Sequence, residues 1–237
     1  MRLIRALKKL KAFQGLTEQE LAWVLYDVGN SAYTMLACSL IPIWFKSIAV
    51  GHAPGQISSD NATAYYSLAI SIVTVAVALL GPVLGALADH KDKKRMYFTS
   101  AATLGMIFCV LTGFAWSWLL FLILFVVTKI CYSASLTIYD SMLGDITTED
   151  RMDEVSSNGF AWGYLGSCIP FLITLIAYVL GPDMVGLIPA LLSRGIGVFV
   201  TAAWWLMVTV PLLLDYTQKN YSSGESASVG TAFRKIF

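Results

Sequence analysis

The stretch Gly81-Pro-Val-Leu-Gly-Ala-Leu-Ala-Asp-His-Lys-Asp-Lys-Lys-Arg95 decides how this chain is read. A long apolar run ends in small residues, sets one carboxylate, Asp89, at its boundary, and then places Lys91, Lys93, Lys94 and Arg95 within five residues. Lys and Arg collect in the cytoplasmic loops of membrane proteins, so a break of this kind reads as a tight cytoplasmic turn between two membrane helices. The chain on both sides agrees. Of its 237 residues, 57% are hydrophobic and 13% charged, whereas soluble domains carry about 45–50% apolar and about 25% charged residues.

A hydrocarbon core about 30 Å thick is crossed by a helix of about 20 apolar residues. Six such runs occur, at 21–49, 64–88, 96–116, 117–139, 157–180 and 189–214. Lipid offers no hydrogen-bond partner to the backbone, so these spans are helices, and the alternating pattern of a membrane barrel is absent from the sequence. The expected fold class is an all-α membrane protein with six transmembrane helices.

Thirteen of the 16 Lys and Arg fall in the terminal segments and alternate loops: Arg2, Arg5, Lys8, Lys9, Lys11, Lys91, Lys93, Lys94, Arg95, Arg151, Lys219, Arg234 and Lys235. The loops at 50–63 and 181–187 hold none. Both termini are therefore expected to be cytoplasmic, in keeping with an even number of spans. The expected organisation is a cytoplasmic amphipathic segment at 1–20, a six-helix bundle at 21–214, and the start of a cytoplasmic linker at 215–237. In the first of these, Leu3, Leu7 and Leu10 share a helical face opposite Arg2, Arg5, Lys8 and Lys9, which suits the inner leaflet surface. A signal peptide is the competing reading, but the apolar run that follows is too long and ends in no small-residue cleavage site.

The first span holds the densest polar cluster. Asp27, Asn30, Ser31 and Thr34 recur at i, i+3, i+4 and i+7 and so share one helix face. A carboxylate and three hydrogen-bonding groups are costly against lipid, so this stripe faces the bundle interior, either as a solute or proton path or as a polar packing seam. Lys129 lies midway along the fourth span, with Tyr132, Ser133 and Asp140 at i+3, i+4 and i+11. It is a candidate to hold an anionic solute group or to pair with Asp27; the bland alternatives are that it snorkels or is neutral.

Other features speak of packing. Gly81 and Gly85, four apart around Pro82, suit close helix approach, as do Gly159, Gly163 and Gly166 ahead of Pro170. Trp116 and Trp118 fit an outer interfacial belt, and Arg194 is expected to reach the outer interface. Residues 140–154, read as a loop, carry six carboxylates against Arg151 and are expected either to attract the basic turn on the same side or to remain a solvated acidic face. His52 and His90 fall in different loops, and Cys38, Cys109, Cys131 and Cys168 lie within spans without CxxC spacing. No metal, cofactor or disulfide is expected, nor an enzyme, since no nucleophile or acid–base constellation is in evidence. The net charge of +1 gives no reason to expect a nucleic-acid partner.

Several of these stretches together resemble the major facilitator superfamily. Gly85, Leu87, Ala88 and Asp89, followed by Lys93, Lys94 and Arg95, are similar to its gating loop between helices two and three; His90 stands where that loop usually has Arg, and Asp92 where it usually has Gly. Tyr26-Asp27 with Asn30-Ser31-Ala32-Tyr33, Tyr139 with Leu143, Val155-Ser156 with Gly159, Ala161 and Gly163-Tyr164-Leu165-Gly166, then Arg194, Phe199, Trp204-Trp205 and Pro211 resemble in order the vacuole effluxer-like branch, also called the unknown major facilitator family. Fungal members of that branch are linked to amino-acid efflux from the vacuole.

The resemblance implies two six-helix halves around a site near the bilayer midplane, of which this chain is expected to be the N-terminal one. It implies a secondary transporter of small polar solutes, amino acids among them, working by alternating access, with proton coupling left open; Asp27, Asn30, Ser31 and Lys129, singled out above by their place in the spans, are then the candidates for the solute or proton path. Its partners would be the solute, the lipid bilayer, and a C-terminal six-helix half or a second copy. The membrane would be the plasma membrane if the protein is bacterial and the vacuolar membrane if it is fungal. The alternative is a non-transporting six-helix scaffold or partner subunit.

Overall fold

The computed structural model describes residues 2–221; residues 222–237 of the expected linker, Arg234 and Lys235 among them, lie outside the described residues. A short helix α1 (Arg2–Leu7) and a 3-10 turn (Lys11–Phe13) precede six long helices: α2 (Glu18–Ala49), α3 (Ser59–Ala88), α4 (Lys94–Gly113), α5 (Trp118–Ile146), α6 (Met152–Leu180) and α7 (Ala190–Asp215). Each of α2 to α7 is long and apolar enough to cross a membrane. The helix starts are built as polar side chains dictate. Thr17 Oγ1 accepts the Glu20 N–H at 3.1 Å while Glu20 Oε2 accepts the Thr17 N–H at 2.7 Å, a reciprocal cap on α2 worth about 1 kcal/mol. Ser58 and Ser117 cap α3 and α5 one way, each hydroxyl accepting an N–H at 3.3 Å.

The spans agree with the expected ones to within three residues except at three ends. The cap at Ser58 lets α3 begin at Ser59 instead of residue 64. Helix α5 continues past Tyr139 to Ile146, and α6 begins at Met152 instead of residue 157. The acidic loop expected at 140–154 therefore shrinks to a short connection around the 3-10 turn Glu149–Arg151. Asp145 is held within the extended helix by partners on α4 and on the segment after α7, described below.

Helix α2 is the hub. It packs along α6 and α7, which also pack on each other; α4 and α3 pack on α5, and α4–α7 contacts join the two groups. Gly29 permits the α2–α7 approach: a Cβ there would stand 2.7 Å from Val208 Cγ2 and 3.0 Å from Trp205 Cδ1. Tyr26, Tyr33, Trp44, Phe98, Phe121 and Trp205 are almost fully buried and fill the centre.

Two packing expectations change. Nothing described lies within 4 Å of a Cβ built at Gly85, and only Thr137 touches that limit at Gly81, because α3 sits at the edge of the bundle with most of its apolar surface, including Leu68, Ile72, Val75 and Leu79, exposed. At the N-terminus Ile4, Phe13 and Leu16 are buried whereas Leu10 is exposed, so the segment is anchored through α1 and the 3-10 turn and not through one continuous leucine face.

Candidate functional site

The polar stripe of α2 opens onto a cavity of about 490 Å3. Trp23, Asp27, Asn30, Ser31, Thr34 and Met35 line it from α2; Tyr132, Leu136, Tyr139, Asp140 and Leu143 from α5; Ser156, Phe160 and Tyr164 from α6. The 3.6-residue period of α2 puts its four polar residues on this wall. Asp27 is 8% exposed, and its Oδ1 accepts from the Asn30 amide at 3.1 Å. The Thr34 and Tyr132 hydroxyls pair at 2.6 Å, and Thr34 also donates to the Asn30 carbonyl at 3.4 Å.

Helix α6 closes against this stripe through its glycines. A Cβ at Gly163 would come within 2.8 Å of Ser31 Oγ, and one at Gly159 within 3.1 Å of Asp27 Oδ2, so only small residues leave room for the polar groups between the helices. The aromatic wall is fixed from two sides. Trp23 stacks on Tyr139 at 4.3 Å between ring centroids; its indole donates to the Tyr139 carbonyl and the Tyr139 hydroxyl donates to the Trp23 carbonyl, both at 3.2 Å.

Lys129 is placed differently from Asp27. Its ammonium lies 4.9 Å from the Tyr132 ring centre and 5.7 Å from that of Tyr33, a cation–π arrangement behind the cavity wall. No ion pair joins it to Asp27 among the described residues. Sequence reasoning noted Asp140 as i+11 from Lys129, which is three helical turns and the same face, but read it as part of a loop. The cavity roles of Tyr132, Tyr139, Phe160 and Tyr164 carried no comparable signal, since aromatic residues occur throughout these spans.

The basic turn between α3 and α4 forms a second polar centre at the end of α3. Lys94 is 3% exposed, and its ammonium lies 3.1 Å from Asp145 Oδ2, 3.2 Å from the Ser141 carbonyl it donates to, and 3.8 Å from Asp89 Oδ1. Asp145, 1% exposed, also accepts the Tyr216 hydroxyl and the N–H groups of Lys219 and Asn220, at 3.2 and 2.7 Å. Burial and the Asp145 carboxylate raise the Tyr216 pKa, which keeps the phenol a donor. The segment after α7 is thus tied to α5 and α4. Lys93 and Arg95 are exposed, and Gly85 and Asp89 lie at the C-terminal end of α3. Asp92 has φ of +60°, a left-handed conformation that favours glycine and tolerates Asp.

A third centre joins α2 to the α5–α6 connection. Arg151 Nε reaches Glu20 Oε1 at 3.0 Å and its Nη2 reaches Glu20 Oε2 at 3.1 Å, while Thr147 donates to Glu20 at 2.6 Å and Arg151 also reaches the Gly15 carbonyl at 2.9 Å.

The description "Major Facilitator Superfamily" matches residues 29–234, most of the chain. The chain belongs to this superfamily. It is also 35% identical over 223 residues to the uncharacterised MFS-type transporter YxiO of Bacillus subtilis (strain 168), covering 93% of this chain and 51% of that protein. The chain spans about half the length of this curated relative and has the six-helix build of one superfamily half. No solved structure matches it. Membership places the protein in the membrane as a multi-pass helical protein and gives it a transporter family's architecture.

Proposed function

We propose that the chain is the N-terminal half of a secondary transporter of small polar solutes, amino acids among them, in which two halves rock around the α2–α5–α6 cavity in alternating access. The observation that carries this reading is the polar stripe Asp27, Asn30, Ser31 and Thr34 standing on the wall of a 490 Å3 cavity in a membrane bundle. A packing seam would seal such groups between helices; here they border open space of a size suited to a solute. The expected topology puts the gating loop and both termini in the cytoplasm. Lys94, Asp89 and Asp145 then tie α3, α4 and α5 together at that surface, and Lys129 acts from behind Tyr132 on the same path. The exposed apolar faces of α3 and α6, with Val75 and Leu79 on one and Phe160, Leu165 and Ile169 on the other, would meet lipid and a C-terminal half.

The test is uptake or efflux of labelled amino acids by the full-length protein in vesicles. Asp27→Asn and Lys129→Gln are each expected to abolish transport while the protein remains in the membrane. Unchanged transport in both would contradict the assignment, and a wild-type protein that moves no solute while still forming stable complexes would favour the scaffold reading.

A further inference from the structure

The carboxylates of the bundle are not all met alike. At the helix ends, two fully buried ones are matched within the chain: Glu20 with Arg151 at 3.0 Å and Asp145 with Lys94 at 3.1 Å. In the cavity they are not. Asp27 is 92% buried by its 8% exposure, its Oδ1 has only the neutral Asn30 amide, and its Oδ2, facing Gly159, takes no hydrogen bond among the described residues. Asp140, exposed on the same cavity, has no ion pair among the described residues. Neither lysine nor arginine lines the cavity among the described residues, and Lys129 is committed to the Tyr33 and Tyr132 rings. The walls beside the two carboxylates are aromatic, with Trp23 and Tyr139 stacked and Tyr164 opposite.

A carboxylate removed from water is costly unless a positive group meets it. Aromatic faces carry partial negative charge and attract cations, most strongly where water is excluded. Hard metal ions are poorly served here, because they require six or more oxygen ligands or ordered water in a defined shell. An ammonium group on an apolar body matches all three elements: two carboxylates, aromatic faces and a cavity of solute size. We propose that the cavity selects solutes carrying a net positive charge, receiving an organic ammonium group between Asp27 and Asp140. This rests on the transporter reading only in taking the cavity as the solute site, and it narrows the solute class from polar to cationic.

The test compares solutes that share a side chain and differ in net charge: the amides, free forms and N-acetylated forms of alanine, leucine and phenylalanine, cationic, zwitterionic and anionic respectively at neutral pH. Binding to the full-length protein in nanodiscs is measured by calorimetry, and transport in vesicles in parallel. At least one amide is expected to bind most tightly of its trio, with Asp27→Asn and Asp140→Asn each weakening it at least about tenfold and the outer-surface control Asp60→Asn leaving it unchanged. Asp140→Lys, checked by monodispersity and helix content, is expected to shift preference toward the N-acetylated forms, which a misfolded protein would not do. N-acetylated forms binding as tightly as amides, amides insensitive to both neutralisations, or no binding by any amide would overturn the proposal. Amide binding without transport would uphold the cation site and sink the transporter reading, whereas transport restricted to anions would do the reverse.

Discussion

Asp92 sits in the turn between α3 and α4 with φ of +60°, a conformation that costs a non-glycine residue about 1–2 kcal/mol. Asp bears it better than most because its short side chain bonds locally. Asp92→Gly is therefore expected to raise the thermal unfolding midpoint slightly, and Asp92→Val to lower it by an amount equivalent to about 1–2 kcal/mol; equal midpoints for the two would contradict the assigned turn. Lys94 and Asp145 form a tighter unit. Removing one member of a buried ion pair costs about 3–5 kcal/mol, so Lys94→Met should destabilise strongly, and adding Asp145→Asn should restore much of the loss because the amide oxygen can take the place of Oδ1 under the Lys219 and Asn220 N–H groups while its NH2 donates to the Tyr216 hydroxyl. A double-mutant cycle by denaturant titration in detergent measures this coupling, and additive losses would count against it. At this scale the sequence was informative where spacing carries geometry: i, i+3, i+4 and i+7 sufficed to put Asp27, Asn30, Ser31 and Thr34 on one wall. It was less informative about Lys129, whose depth was evident but whose tyrosine partners depend on how α2 and α5 turn toward each other.

Helix ends mark where sequence reading ran out. Hydropathy locates where lipid contact stops, but not where a helix stops, so α5 was expected to end at residue 139 and continues to Ile146. The extension converts Asp140 and Asp145 from loop charges into residues with fixed directions, one toward the cavity and one toward Lys94. Small-residue spacing was also ambiguous by itself. Gly159, Gly163 and Gly81, Gly85 carry the same four-residue signature, yet α6 uses its pair against α2 and α3 presents its pair to open surroundings. The difference is readable as opposite signs. Gly163→Ala drives a Cβ to 2.8 Å from Ser31 Oγ and is expected to cost about 1–3 kcal/mol, whereas Gly85→Ala in this chain meets nothing within 4 Å and should gain up to about 1 kcal/mol of helix propensity. Thermal midpoints of the purified chain distinguish them, and a loss at Gly85 equal to that at Gly163 would overturn the packing described for α3.

At the scale of the whole molecule, the six spans and the all-helical class followed from length and hydropathy, because lipid leaves the backbone no other way to satisfy its polar groups. The cavity did not, since it forms only where α2 meets α5 and α6, which are distant from it in the chain. Its lining by Trp23, Leu143 and Ser156 places it toward the helix ends that share the side of the basic turn between α3 and α4. If it is the solute path, it must be wet and, in the proposed topology, reachable from the cytoplasm. The most direct measurement is thiol labelling of Ser31→Cys in the full-length protein with Cys38, Cys109, Cys131 and Cys168 replaced by serine, using a membrane-impermeant methanethiosulfonate on vesicles of known orientation. The account predicts rapid labelling from the cytoplasmic side, slowed by a transported solute. A residue 31 that stays unlabelled from both sides, or labels at a rate no solute changes, would contradict it.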